Sequence, residues 1–133
     1  MTDTIAAILK SAKTIAVVGL SSKPHRASFG VARYLQSVGY RIVPVNPHES
    51  EVLGERAYAR LEDVPVRIDA VDVFRRSEHV PEIVESAIRV GAKAIWLQEG
   101  VVHEGAAERA RQAGLLVVMD RCMLKEHARW QPR

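Results

Sequence analysis

Three times along this chain a helical pattern ends at a glycine and a short apolar run begins within a few residues. Ser37-Val38-Gly39-Tyr40-Arg41 leads into Ile42-Val43-Pro44-Val45, and Arg89-Val90-Gly91-Ala92-Lys93 leads into Ala94-Ile95-Trp96-Leu97. Gln112-Ala113-Gly114 then leads into Leu115-Leu116-Val117-Val118-Met119. Glycine takes the left-handed conformation that closes a helix at no steric cost. Short continuous apolar runs suit strands buried on both faces. The segments between the junctions are dissimilar, so these are helix-to-strand turns of a βαβ chain and not a solenoid repeat.

The helical segments agree. From Val80, the positions Ile83, Val84, Ala87 and Ile88 fall on one helix face. Ser77 or Glu78 is expected to open that helix, with Pro81 tolerated in its first turn. Ser28 is read as the cap of a helix through Val31, Leu35 and Val38, and a third helix runs from about His103 to Ala113. Ile5, Ile8 and Leu9 make a short N-terminal amphipathic helix. Two further strands are Ile15-Ala16-Val17-Val18 and Ala70-Val71-Asp72-Val73-Phe74. The stretch from Pro47 to Asp69 is too long for a plain loop, and is expected to hold a turn at Gly54 and a helical turn near Leu61 to Val64. Such alternation predicts an α/β fold: a doubly wound, five-stranded parallel sheet of order 3-2-1-4-5, with helices on both faces. With 133 residues, one domain spanning 1–133 is expected.

The first strand carries the chemistry. It stops at Gly19, crosses a polar loop and re-emerges as a helix, an arrangement that offers backbone N–H groups and a helix dipole to phosphate. It is not the dinucleotide fingerprint. Ser21 and Pro24 stand where G-x-G-x-x-G needs its later glycines. Ligands of such sheets lie outside the carboxyl ends of the strands, which makes one constellation of the residues following each strand. Gly19, Ser21, Ser22, Lys23, Arg26 and Ser28 follow the first, and Asn46 and Pro47 the second. Arg75 and Arg76 follow the third, and Gln98, Glu99 and Gly100 the fourth. Lys23, Arg26, Arg75 and Arg76 gather at one side, fit for the charged half of a ligand. Asn46 stands where an NAD enzyme places Asp or Glu for its ribose.

These segments, VGLSSKPHRASF, VPVNP, LGERAYARLEDVP, VDVFRRSEHVPEIVESAI and WLQEGVV with DRCMLKEH, resemble the small stand-alone CoA-binding proteins. That family is similar to the N-terminal domain of the succinyl-CoA synthetase α-subunit. The resemblance runs from about Ile5 to His127, with its motifs in order. It implies a Rossmann-like fold that binds coenzyme A or an acyl-CoA. By position, Gly19, Leu20, Ser21 and Ser22 would cradle the pyrophosphate, and Lys23 and Arg26 would neutralise phosphate charge. Asn46 and Pro47 would line the adenosine pocket beside Phe74, Arg75 and Arg76. Gln98, Glu99 and Gly100 would face the pantetheine arm.

The synthetase's phosphohistidine has no counterpart here. His103 is read as a helix-start residue and Cys122 as structural. No residue is assigned a catalytic role, and no histidine spacing suggests a metal. The expected activity is binding, as a carrier, a sensor or a partner subunit. The alternatives are an NAD(P)-dependent oxidoreductase, with Arg41, Arg75 and Arg76 as candidates for a 2′-phosphate, or a CoA-transforming enzyme completed by another chain. Net charge is +3 and the isoelectric point about 9.3, a mild excess that suits an anionic small ligand. No segment reads as helix-turn-helix or as a membrane span, so neither nucleic acid nor membrane is expected. A second copy of the chain or another protein remains open as partner. One cysteine fits a reducing cytoplasm.

Overall fold

The computed structural model describes residues 2–130, with side chains from Thr4 onward. Five parallel strands form the central sheet: β1 (Thr14–Val18), β2 (Arg41–Val45), β5 (Ala70–Val73), β6 (Ala94–Leu97) and β7 (Leu116–Val118). Between β2 and β5 lies a two-stranded hairpin, β3 (Glu51–Val52) and β4 (Glu55–Arg56), which turns at Leu53-Gly54. A 3₁₀ turn follows at Leu61–Asp63. Both the turn and the helical turn fall where the sequence puts them.

Helices cover both faces. Along β1, Ile15 and Val17 face a core shared with α1 (Thr2–Ser11), α2 (Ala27–Ser37) and α5 (Met123–Trp130). Ala16 and Val18 face the opposite core, under α3 (Val80–Arg89) and α4 (Glu104–Gln112). This alternation is the two-residue strand period applied to a sheet buried on both sides. Gly39, Gly91 and Gly114 close their helices with φ of +106°, +76° and +93°. Helix α1 packs against β7 and α5. Helix α5, which the sequence reading did not mark, is pinned by fully buried Met123 and by His127, whose ring meets Tyr34, Tyr40 and Trp130 edge-on. Burial holds the His127 imidazole below its usual pKa.

The strand order is β2-β1-β5-β6-β7. Numbering the five strands in sequence, that is 2-1-3-4-5, so the predicted order 3-2-1-4-5 is corrected. The reason is visible at β2. Tyr58 donates its N–H to the Pro44 carbonyl at 3.0 Å and accepts from Asn46 N–H at 2.8 Å, occupying the outer side of β2. The third strand therefore pairs on the free side of β1. Pro44 itself has no N–H to give that outer edge, as an edge strand allows and an interior strand does not. The switch point consequently lies between β1 and β5.

Ser28 is also corrected. It sits inside the first turn of α2, not at its cap, and is buried; its Oγ accepts the Ser21 N–H at 3.1 Å. The residue at the cap position is Arg26, whose side chain makes no capping hydrogen bond.

Candidate functional site

At the switch point the chain leaves β1 through Gly19, whose N–H donates to the Val45 carbonyl at 2.9 Å. Its φ is +89°, and a Cβ there would lie 2.3 Å from the Phe74 carbonyl oxygen. Only glycine lets the ends of β1 and β5 approach this closely. Two clefts open on either side of Gly19 and Phe74. The first, of about 350 Å³, is lined by Ser21, Arg26 and Ser28 of the loop and α2, and by Gln98, Glu99 and Val101 beyond β6. The second, of about 260 Å³, is lined by Asn46, Pro47, His48, Ala59 and Arg75.

The polar loop is held by its own hydrogen bonds. Lys23 N–H donates to Ser21 Oγ at 3.1 Å. Asn46 donates from Nδ2 to the Leu20 carbonyl at 3.0 Å and accepts the His48 N–H on Oδ1 at 2.9 Å, so it braces the β1 and β2 loops together. The side chain of Leu20 is fully buried in the core, so only its backbone faces the loop.

Ser22 directs both of its donors, N–H at 2.8 Å and Oγ–H at 2.9 Å, to one oxygen of the Glu49 carboxylate. An anionic oxygen is thus held by two donors of the loop after β1. The start of α2, with no acid in its first turn, adds positive potential beside it.

Of the predicted residues, Gly19, Ser21, Arg26, Ser28, Asn46, Pro47, Phe74, Arg75, Gln98 and Glu99 line the two clefts. Ser22 and Lys23 stand exposed at the rim, and Arg76 is exposed ahead of the 3₁₀ turn Ser77–His79. Gly100 lies just beyond, where its N–H donates to Asp120 Oδ1 at 2.8 Å and ties the β6 and β7 loops. Glu99 is balanced by Lys125 of α5, 3.1 Å away. Arg41 opens β2 and so lies at the opposite end of the sheet, away from any cofactor at the switch point. His103 caps α4, its Nδ1 accepting the Ala106 N–H at 3.0 Å. Cys122 is buried in the α5-side core.

Sequence reasoning missed Glu49 and Asp72. Glu49 carried no local signal, because its role depends on how two loops meet. Asp72 did carry one: it is an acid inside a strand read as wholly buried. It is fully buried, with Oδ1 accepting from Gln98 Nε2 at 2.7 Å and Oδ2 without a partner among the described residues. Burial, opposed by that hydrogen bond, pushes its carboxyl up to about 7.

A larger cavity of about 740 Å³ lies elsewhere, against α1, β7 and α5. It gathers none of the loop donors, so the paired clefts at the switch point are the better candidate.

The profile of one family, described as CoA binding domain, matches residues 13–128. The chain belongs to this family. The CoA-binding-domain match takes in every element from β1 to most of α5. The chain is 43% identical over 121 residues to the uncharacterized protein YneT of Bacillus subtilis (strain 168), covering 91% of this chain and 90% of the relative. It is 28% identical over 96 residues to the ADP-forming acetate–CoA ligase II of Archaeoglobus fulgidus; that covers 70% of this chain but 14% of the ligase. Among solved structures, a hypothetical protein from Pyrococcus horikoshii OT3 superposes with a TM-score of 0.93 at 42% identity, covering 97% of this chain and 91% of the other.

Proposed function

We propose that the chain binds coenzyme A or an acyl-CoA across the two clefts, without chemistry of its own, as a cytoplasmic carrier, sensor or partner subunit. The observation that best supports this reading is the capture of the Glu49 carboxylate by Ser22, a negatively charged group taken up by donors of the loop after β1. Phosphates of the ligand would take that place, with Lys23, Arg26 and Arg75 supplying charge. The adenosine would enter the cleft at Asn46 and Pro47. The neutral pantetheine arm would run over Phe74 toward Gln98 and Val101. The family membership and the ligase relative point to the same ligand.

Two tests follow. The double variant Lys23→Ala/Arg26→Ala is expected to bind CoA about tenfold or more weakly, with a flatter salt dependence. An unchanged affinity by calorimetry would remove both residues from the site.

Glu49 also supplies the one observation that favours a nicotinamide dinucleotide, since an acid beyond the second strand is where ribose hydroxyls would be held. Glu49→Gln separates the readings. If Glu49 stands in for phosphate, removing its charge tightens CoA binding, by roughly tenfold. A ribose-binding role predicts instead that the variant loses NAD affinity and leaves CoA unbound.

A further inference from the structure

Asp72 is the buried group that ligand binding alone does not explain. It pairs in register with Val17 of β1 and Trp96 of β6, and alternation along β5 turns it toward the side covered by α2 and α5. A valine there would continue the apolar run without the cost of an unpartnered carboxylate oxygen.

The consequence of Asp72 falls on Gln98. A side-chain amide has a donor end and an acceptor end, whereas an ionised carboxylate only accepts. With Asp72 ionised, the NH₂ of Gln98 must face it, as the 2.7 Å contact records. The carbonyl Oε1 is then turned away from Asp72, and Gln98 lines the first cleft. Among the described residues nothing donates to that oxygen.

We propose that Asp72 is a positioning residue: it orients the Gln98 amide so that an acceptor faces the cleft, and this acceptor receives a secondary-amide N–H of the pantetheine arm. The inference rests on the CoA reading above. A protonated Asp72 carries an O–H that donates to Oε1, which lets the amide turn over. The NH₂ then meets the ligand's N–H donor to donor, and the contact is lost. Asp72 titrates near neutrality, so the exchange falls in an accessible range. Helix α2 carries Arg33 and Tyr34, with Arg26 at its start. Helix α5 carries Lys125, Glu126, His127 and Arg129, with Cys122 at its start. Glu99 follows β6, while β1 and β6 have no titratable group. None of these groups contributes to the Asp72 shift, which burial and the Gln98 hydrogen bond set.

The test is calorimetric titration of the wild type, Asp72→Asn and Gln98→Met with CoA and with adenosine 3′,5′-bisphosphate, which lacks the arm. Titrations run from about pH 6 to about pH 8.5, a range that brackets the Asp72 transition. Each ligand's own phosphate titrations are common to every variant and cancel when variants are compared on the same ligand. At the alkaline end both variants are expected to bind CoA roughly fivefold to tenfold more weakly than wild type. Combining the two substitutions adds nothing, and bisphosphate affinity is unchanged. Toward the acid end the gap between wild type and Asp72→Asn closes. Equal CoA affinities with parallel pH profiles overturn the inference, as does an equal loss for both ligands. Should Asp72→Asn not fold, the pH profiles of wild type and Gln98→Met decide. The wild type's CoA-to-bisphosphate preference falls toward the acid end while that of Gln98→Met stays flat, and parallel profiles overturn the inference. A wild type that binds neither ligand overturns the CoA reading and this inference with it; one that binds both while the variants match it overturns this inference alone.

Discussion

Replacing Gly19 with alanine is expected to destabilise the protein by on the order of 4 kcal/mol and to abolish ligand binding. Two costs combine. The backbone at φ +89° is strained for any residue with a side chain, and the new Cβ would stand 2.3 Å from the Phe74 carbonyl oxygen. That obstacle is backbone, so no rotamer change relieves it; β5 must move away from β1. The Phe74 N–H to Val18 carbonyl bond, 2.8 Å long, lies at the same place. Both clefts share Gly19 and Phe74, so the displacement reaches both. Gly39 is the control. Its φ is +106°, but a Cβ there meets nothing within 4 Å. Gly39→Ala is therefore expected to cost about 1 kcal/mol, the strain alone. Urea denaturation of the two variants measures the difference, and equal losses would contradict the close approach at the switch point.

The second large effect is a pH dependence of stability carried by Asp72. Its folded pKa is raised from 3.8 to about 7, so between these values the folded state binds the proton that the unfolded state has lost. The contribution of Asp72 to stability is therefore full below pH 3.8, falls as pH rises, and is lost above about 7. A shift of this size amounts to about 4 kcal/mol. Other groups run the opposite way. Backbone N–H groups of Thr14 and Lys13, together with Arg67 and Lys93, outweigh burial and hold Asp69 low, and burial holds His127 low. These groups favour the fold at higher pH. The clean measurement is thus the difference between Asp72→Asn and wild type. The variant's relative stability is expected to climb by about 1.4 kcal/mol per pH unit between roughly pH 4 and pH 7, then level off. A flat difference would mean that Asp72 titrates as an ordinary carboxyl.

The fold was legible wherever local chemistry decides it. Gly39, Gly91 and Gly114 mark helix ends, and the apolar runs after them are strands whatever their neighbours. Strand order is not local. It turned on Tyr58 occupying the outer edge of β2, a contact between positions fourteen residues apart that no periodicity announces. Pro44 was the available warning, because an interior strand needs every N–H. Helix α5 was missed because its apolar face is short and leans on a histidine, His127, whose burial depends on the aromatic rings around it. The candidate site divides in the same way. The loop residues after each strand are collected by topology alone, whereas the Glu49–Ser22 contact arises from the meeting of two loops. Arg41 shows the reverse error: near the site in sequence, it stands at the far end of β2.

The central claim is that the clefts at the switch point take CoA, and thermal unfolding with added ligand tests it most directly. A ligand present at about a hundredfold its Kd adds about 2.7 kcal/mol of stability. CoA or acetyl-CoA is expected to raise the Tm accordingly, while NAD, NADP and ATP leave it near the unliganded value. Stabilisation by NAD or NADP with none by CoA would contradict the account.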